Sequence, residues 1–314
     1  MTTLITGSTG FVGRRLVNTL QSLGRPVRAA VRAPDASLQV PQVVVPSPGT
    51  TIDAWRPLVK GCDTVVHLLA RAHVMQDEAP DPLAAFRLVN TEMTKACAAA
   101  AAAEGVRRFV FVSSIGVQGN ATTTRPIEAQ DPLVPHSPYA QSKAEAELAL
   151  RQLAQAESME WTVVRPPLVY GPQAPGNMRS LMRALHRHLP LPLACVTDNR
   201  RSLVALDNLV DLLITCLDHP AAANQAFLVS DGEDLSTAAL LRRLGHAMGH
   251  PARLLPVPNG LLWAGARLLG KGDMAQRLLG SLQVDIDHTR RTLGWTPPVS
   301  VDEGLRRAAE GFQA

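Results

Sequence analysis

Tyrosine and lysine are scarce in this chain of 314 residues. There are two tyrosines, Tyr139 and Tyr170, and four lysines, Lys60, Lys95, Lys143 and Lys271, against 27 arginines. Aromatic residues make up 4% and charged residues 18%, and the net charge is only +4. With so few stacking side chains and no basic block, a nucleic-acid platform is excluded. Four cysteines, Cys62, Cys97, Cys195 and Cys216, are widely spaced and form no CxxC pair, so neither a disulfide scaffold nor a zinc site is implied. No apolar run is long enough for a membrane span: Ala96 to Ala103 stops at Glu104, and Gly260 to Ala266 ends at Arg267. The N-terminus runs straight into a strand-like Leu4-Ile5-Thr6, without a basic n-region or cleavage site. Hydrophobic residues, by contrast, reach 46%, which suffices for a substantial core. The expectation is a soluble, cytoplasmic globular protein of one large domain or two smaller ones.

Short β-type runs alternate with helical patterns through the first half. Leu4 to Thr6, Val27 to Val31, Val43 to Val45, Thr64 to Leu69, Phe109 to Ser113 and Trp161 to Val164 read as strands. Between them Phe11 to Leu23, Leu83 to Glu104 and Pro138 to Ala156 read as helices. Nearly continuous apolar strands separated by helices predict a parallel sheet covered on both faces. Beyond Pro166 the units shorten. Leu203 to Leu206, a helix from Asp207 to Leu217, and Ala226 to Val229 read as a return to the sheet. The expected division is a sheet domain over 1–171, rejoined at about 203–231, with 172–202 and 232–314 as a smaller, mainly helical lobe.

Gly7-Ser8-Thr9-Gly10-Phe11-Val12-Gly13 stands between the first strand and the first helix. Glycines there permit a tight turn and close backbone approach, and free N–H groups at a helix start suit a pyrophosphate. An ordinary glycine-rich turn is the alternative, but the strand–turn–helix context favours dinucleotide binding. The acid that usually ends the second strand and holds the adenosine ribose is missing from Val27-Arg28-Ala29-Ala30-Val31-Arg32. Arg32 suits a 2′-phosphate, pointing to NADP over NAD; a solvated surface arginine is the other reading.

Tyr139-Ala140-Gln141-Ser142-Lys143 sets one of the four lysines four residues after one of the two tyrosines. On a helix these share a face, so phenol and ammonium can act on one site. Ser137-Pro138 supplies an N-cap and first position, placing Tyr139 in the first turn. A helix start and a nearby cation both favour phenolate, so the Tyr139 pKa is expected to fall toward a value useful for proton transfer. Ser113-Ser114 ends the fifth strand, at the carboxyl edge where such sheets bind ligands, though serines there are also plain turn formers.

The chain resembles an extended short-chain dehydrogenase/reductase of the NAD-dependent epimerase/dehydratase family. The resemblance rests on Thr6 to Gly13, Asp63 to Ala70, Asn90, Phe111-Val112-Ser113-Ser114, Tyr139 with Lys143, and Arg165-Pro166. It continues through Tyr170-Gly171-Pro172 and Arg201-Ser202-Leu203-Val204 to Leu293-Gly294-Trp295-Thr296-Pro297. Within the family it is most similar to UDP-sugar 4-epimerases and to the 4-keto-sugar reductases of bacterial O-antigen and capsule synthesis. The runs Ala70 to Met75 and Asn199 to Val204 look most like the group making UDP-N-acetylquinovosamine or fucosamine.

The resemblance implies an α/β fold, a Rossmann-type doubly wound parallel sheet with a smaller, mainly helical C-terminal lobe for a nucleotide sugar. Tyr139 would be the acid/base on the sugar oxygen, with Lys143 lowering its pKa and binding the nicotinamide ribose. Ser114, at the epimerase-like spacing before the tyrosine, would polarise that oxygen. NADP or NAD would lie against Gly7, Thr9, Gly10, Phe11, Val12, Gly13, Arg32, Leu69, Ala70, Asn90, Ser113, Lys143 and Pro166. Asn177 and Arg201 would face the UDP phosphates beside Ser114 and Tyr139, with Arg200 left in solvent. No metal is implied, and helices 83–104 and 138–156 would form a homodimer interface. Three departures stand out. Ile115-Gly116 replaces the Asp-Glu of sugar dehydratases, Gln118 replaces a usual tyrosine, and Ser47-Pro48-Gly49 replaces a usual Asp after the third strand.

Two other features are read structurally. His186 and His188, two residues apart, are expected to diverge on a solvated helix face rather than hold a metal. Gly260 to Leu282 is expected to pack the core of the smaller lobe, with a membrane-surface contact as the alternative. The expected activity is oxidoreduction at C4 of a UDP-sugar, ending in epimerisation or in reduction of a 4-keto sugar. A steroid- or flavonoid-type alcohol dehydrogenase and a non-catalytic dinucleotide sensor are the alternatives.

Overall fold

Nine strands and twelve α-helices are built in chain order in a computed structural model that describes residues 1–72 and 79–313. The strands are β1 (Thr3–Thr6), β2 (Val27–Val31), β3 (Gln42–Val44), β4 (Thr64–His67), β5 (Arg108–Val112), β6 (Glu160–Arg165), β7 (Leu168–Tyr170), β8 (Leu203–Ala205) and β9 (Gln225–Leu228). The helices are α1 (Phe11–Ser22), α2 (Ile52–Val59), α3 (Pro82–Phe86), α4 (Met93–Ala103), α5 (Pro138–Ala156) and α6 (Gly176–His186). They continue with α7 (Leu206–Asp218), α8 (Thr237–Ala247), α9 (Asn259–Leu268), α10 (Gly272–Leu279), α11 (Asp287–Leu293) and α12 (Val301–Glu310). Part of the run Ala70 to Met75, from His73 on, lies outside the described residues.

Seven strands form one parallel sheet in the order β3-β2-β1-β4-β5-β6-β9. Successive residues of a strand point to opposite faces. Leu4, Val65, Phe109 and Val163 accordingly join the core under α2, α4 and α5, while Ile5, Val66, Val110 and Val164 join the core under α1 and α7. This is a Rossmann-type, doubly wound sheet, and the order reverses between β1 and β4, where such folds open a crevice at the carboxyl ends of the strands. A third core, around Tyr170, Met178, Leu241 and Leu305, belongs to the helical C-terminal portion.

Several local expectations need correcting. Of the return to the sheet, only Gln225–Leu228 joins it; Leu203–Ala205 pairs with Leu168–Tyr170 in a separate two-stranded sheet. The single helix expected over 83–104 is α3 and α4 joined by a π-turn segment, Arg87–Glu92, that carries Asn90. Segment 260–282 packs the core of the smaller lobe only in part: Leu262 and Leu279 lie against it and Ala275 and Leu282 are buried, while α9 buries none of its residues outright. His186 and His188 do not diverge. The helix ends at His186 and His188 takes φ +52, which swings it round so that both rings meet His250, at 5.1 and 4.9 Å between centroids. Among the described residues no cluster of His, Cys, Asp or Glu could hold a metal ion, and no helix is long and apolar enough to cross a membrane.

Candidate active site

The chain leaves β1 through Gly7, whose φ of +68 puts it in the left-handed region that favours glycine. A Cβ on Gly13 would lie 2.1 Å from the Gly7 carbonyl oxygen, so α1 can pass this close to the turn only without a side chain. Gly10 caps α1 with no side-chain bond, and the first turn holds no acid, leaving the N–H groups and the positive helix end open to an anion. Ser8 Oγ donates to the Ala30 carbonyl at 2.8 Å and ties the turn to β2, while Leu69 N–H donates to Thr6 Oγ1 at 3.3 Å and brings Leu69-Ala70 alongside. Beyond the turn, Thr9, Arg32, Ala33, Pro34, Asp35 and Ala36 line a cavity of about 600 Å³. Among the described residues Arg32 meets no carboxylate. Asp35, in the same wall, is engaged by Ser37 and by Arg14 at 2.7 Å. Those hydrogen bonds, Ser37 foremost, hold its carboxyl down at about 2.

At the carboxyl end of β5 the two serines divide their tasks. Ser113 Oγ is buried and has no hydrogen-bond partner within the described residues. Ser114 Oγ accepts from Gly116 N–H at 3.1 Å, which leaves its own proton free to donate outward. Around Gly116 the site closes: a Cβ there would lie 3.4 Å from Ser114 Oγ, 3.5 Å from His136 Cε1 and 3.6 Å from Ala140 Cβ. Ser114 and the start of α5 therefore meet at one point. The helix starts as the sequence predicts, with Ser137 Oγ accepting from Ala140 N–H at 3.2 Å and Pro138 in the first turn.

Tyr139 stands edge-on to Phe86, with ring centroids 5.9 Å apart. Its pKa is not lowered as expected; burial pushes it up to about 12. Lys143 is buried, with Nζ 3.9 Å above the Phe111 ring, and burial brings its pKa down to about 7 against an upward pull from Glu147. The ammonium is held by the aromatic face. Beneath it His67 is fully buried and clamped between Thr6 Oγ1 at 3.0 Å and Thr94 Oγ1 at 3.1 Å; burial first and Lys143 second drop its pKa to about 3. Asn90 uses its amide internally, accepting from Arg71 N–H at 2.8 Å and donating to Ser142 Oγ at 2.9 Å. It shapes the wall beside Ala70 rather than presenting a free group. Pro166 closes the opposite side, its carbonyl accepting from Ile115 N–H at 3.0 Å.

Arg201, just before β8, donates from Nη1 to the Gly280 carbonyl at 3.1 Å. Burial and the charge of Arg277 both push its pKa down. Among the described residues neither arginine has a carboxylate partner, and the two guanidiniums are close enough to repel, an arrangement suited to a doubly charged ligand. Arg200 stays exposed, bonded to the Thr197 and Asn199 carbonyls. Asn177 opens α6 and is part-buried.

Sequence reasoning missed Arg277, His136, Phe86 and Glu147. Only Glu147 left a signal, four residues beyond Lys143 on the same helix face. The second tyrosine serves the scaffold: Tyr170 donates to Asp231 Oδ2 at 2.7 Å in a buried network that also ties Ala205 and Asn208.

Residues 3–230 match the model of the NAD dependent epimerase/dehydratase family. The chain belongs to that family. It is an enzyme of the family, and the uncapped α1 start, the turn that only glycine passes and the unpartnered Ser113 hydroxyl fit the nicotinamide dinucleotide from which the family is named. A UDP-glucose 4-epimerase of Vibrio cholerae is 46% identical over 98% of this chain and 94% of that protein. Among solved structures, a UDP-glucose 4-epimerase of Thermotoga maritima with UDP-glucose superposes with a TM-score of 0.78 at 21% identity, covering 99% of this chain and 98% of the other. A UDP-glucuronic acid 4-epimerase of Bacillus cereus in complex with NAD reaches 0.80 at 18% identity over the same shares. At that identity the structural likeness speaks for the fold alone.

Proposed function

We propose that the protein is a UDP-sugar 4-epimerase acting on UDP-hexoses in the cytoplasm. The observation that carries this reading is the pair Arg201 and Arg277, two cations without carboxylate partners among the described residues, of which Arg277 also acts on His136, the neighbour of Gly116 beside Ser114. The 46% identity to the Vibrio cholerae UDP-glucose 4-epimerase over nearly both lengths supports it.

Gly7, Thr9, Gly10, Phe11, Val12 and Gly13 would seat the pyrophosphate, Leu69, Ala70, Asn90, Ser113 and Pro166 would border the nicotinamide half, and Lys143 would reach its ribose. When bound, NAD supplies a reversible acceptor for the C4 hydride. Ser114 would donate a hydrogen bond to the C4 oxygen and polarise it, and Tyr139 would take the hydroxyl proton on oxidation and return it on reduction. Asn177, Arg201 and Arg277 hold the diphosphate, so the sugar can turn over between oxidation and reduction without leaving. The expected consequence is that Arg277→Gln raises KM for a UDP-sugar by roughly tenfold or more while kcat changes little. Steady-state kinetics against UDP-sugar concentration reads this directly.

One observation favours a second reading, a 4-keto-sugar reductase fed by NADPH. Arg32 stands at the cavity beyond the glycine turn without a carboxylate partner and where a ribose-binding acid is usual. Incubation with UDP-glucose and NAD, followed by chromatography of the sugar nucleotides, separates the two. Appearance of UDP-galactose without net consumption of coenzyme is expected. Inertness toward UDP-hexoses, together with stoichiometric NADPH oxidation by a UDP-4-keto sugar, would replace the epimerase with the reductase. A homodimer through α4 and α5, where Leu148 is 49% exposed, and a product destined for surface polysaccharide complete the reading.

A further inference from the structure

The α9–α10 hairpin offers solvent an apolar surface that nothing in the described residues covers. Of the twelve large apolar side chains exposed among the described residues, five fall between 255 and 274: Leu255, Leu261, Leu268, Leu269 and Met274. Leu268 is 88% and Leu269 71% exposed. Leu261, Ala264 and Leu268 follow at the three- and four-residue steps of one helix face, and all three are exposed. The other side anchors the hairpin: Leu262 and Leu279 pack against the Tyr170 core, and Ala275 is buried. The patch is therefore held by the fold, with its apolar face turned outward.

Charge identifies what covers it. Between 254 and 279 the bases are Arg267, Lys271 and Arg277, all exposed, and Asp273 is the one acid. Arg267 and Lys271 flank Leu268 and Leu269 directly. A two-fold contact between copies of this chain would set these bases against themselves with little acid to offset them. A surface that is apolar beneath a layer of anionic phosphates satisfies both features together.

We propose that the α9–α10 hairpin docks the protein on the surface of an anionic lipid bilayer. Leu261, Leu268, Leu269 and Met274 enter the boundary between headgroups and acyl chains, and Arg267 and Lys271 meet lipid phosphates. Both helices are too short to span, so the hairpin lies in the plane of the surface. Arg277, on the same α10, is near enough to Arg201 and His136 to act on both, so the docked hairpin brings these residues close to the bilayer.

Flotation of the full chain with lipid vesicles tests this. With vesicles of phosphatidylcholine carrying about 30% phosphatidylglycerol, the protein should float, at least about tenfold more than with phosphatidylcholine alone, and high salt should weaken the binding. Leu268→Glu with Leu269→Glu, and separately Arg267→Glu with Lys271→Glu, should each reduce the floated fraction about tenfold. Turnover of a UDP-sugar in the absence of vesicles should not change in either variant, which shows that both are folded. Wild-type protein that stays unbound with anionic vesicles overturns the proposal, as does undiminished flotation of the variants. An oligomer that forms without lipid and dissociates in Leu268→Glu with Leu269→Glu would assign the face to a second copy of the chain instead.

Discussion

Turnover falls by roughly 10²–10⁴ when Tyr139 is replaced by Phe, while the fold and the binding of sugar nucleotide persist. The ring keeps its edge-on contact with Phe86, and among the described residues no group depends on the phenol for a hydrogen bond. The substitution therefore removes one proton donor and nothing else. A phenol held at about 12 is protonated across the neutral range, so it is poised to give a proton and must be made more acidic to take one. Lys143, four residues on, is the cation able to do that, and it is spent on the Phe111 face in this arrangement. Lys143→Met should accordingly cost activity as well, and should move the rate to higher pH rather than scale it evenly. Activity of Tyr139→Phe within a few-fold of wild type on a confirmed UDP-sugar would remove Tyr139 from the reaction.

The elements that could be read from the chain are those whose pattern is local. β1, the glycine turn and α1 follow from apolar residues, glycines and a helical period lying next to one another. Ser137-Pro138 announces the start of α5, and Tyr139 with Lys143 follows from helical spacing. What could not be read depends on groups far apart in sequence. Arg277 becomes legible only when α10 is folded against Arg201, and His136 only when Gly116 lies beside α5. The upward Tyr139 pKa depends on tertiary structure too: helix spacing puts Lys143 on the right face but does not show how deeply the phenol is buried. The apolar hairpin misled in a different way. Leu261, Leu268 and Leu269 have the composition of core, and only tertiary structure shows that Leu262 and Leu279 are turned to it and Ala275 is buried while these three face solvent.

The second large effect is on stability and falls on Glu147. This carboxylate is fully buried and holds Arg165, itself 2% exposed, through bonds of 3.0 Å from Nε and 2.7 Å from Nη2, with Arg151 at 3.4 Å. Glu147→Ala leaves the Arg165 guanidinium buried with only the Ala129 carbonyl as partner, at 2.9 Å. An uncompensated buried charge of this kind costs about 3–5 kcal/mol, measurable as a lower denaturant midpoint. Pairing it with Arg165→Met should recover much of the loss, because desolvation of both charges is then avoided. Glu147 also pulls the Lys143 pKa upward, so its removal lets burial push that pKa further down from about 7. Any rate that needs the Lys143 cation then fades at lower pH in Glu147→Gln than in wild type. Stability carries the opposite sign. The folded chain holds Lys143 at about 7 against an ordinary 10.5, so unfolding takes up a proton between these values. The Lys143 contribution therefore makes the fold more stable as pH rises through that window. A Glu147→Gln enzyme with an unshifted pH–rate profile would confine Glu147 to holding Arg165 and separate it from the chemistry.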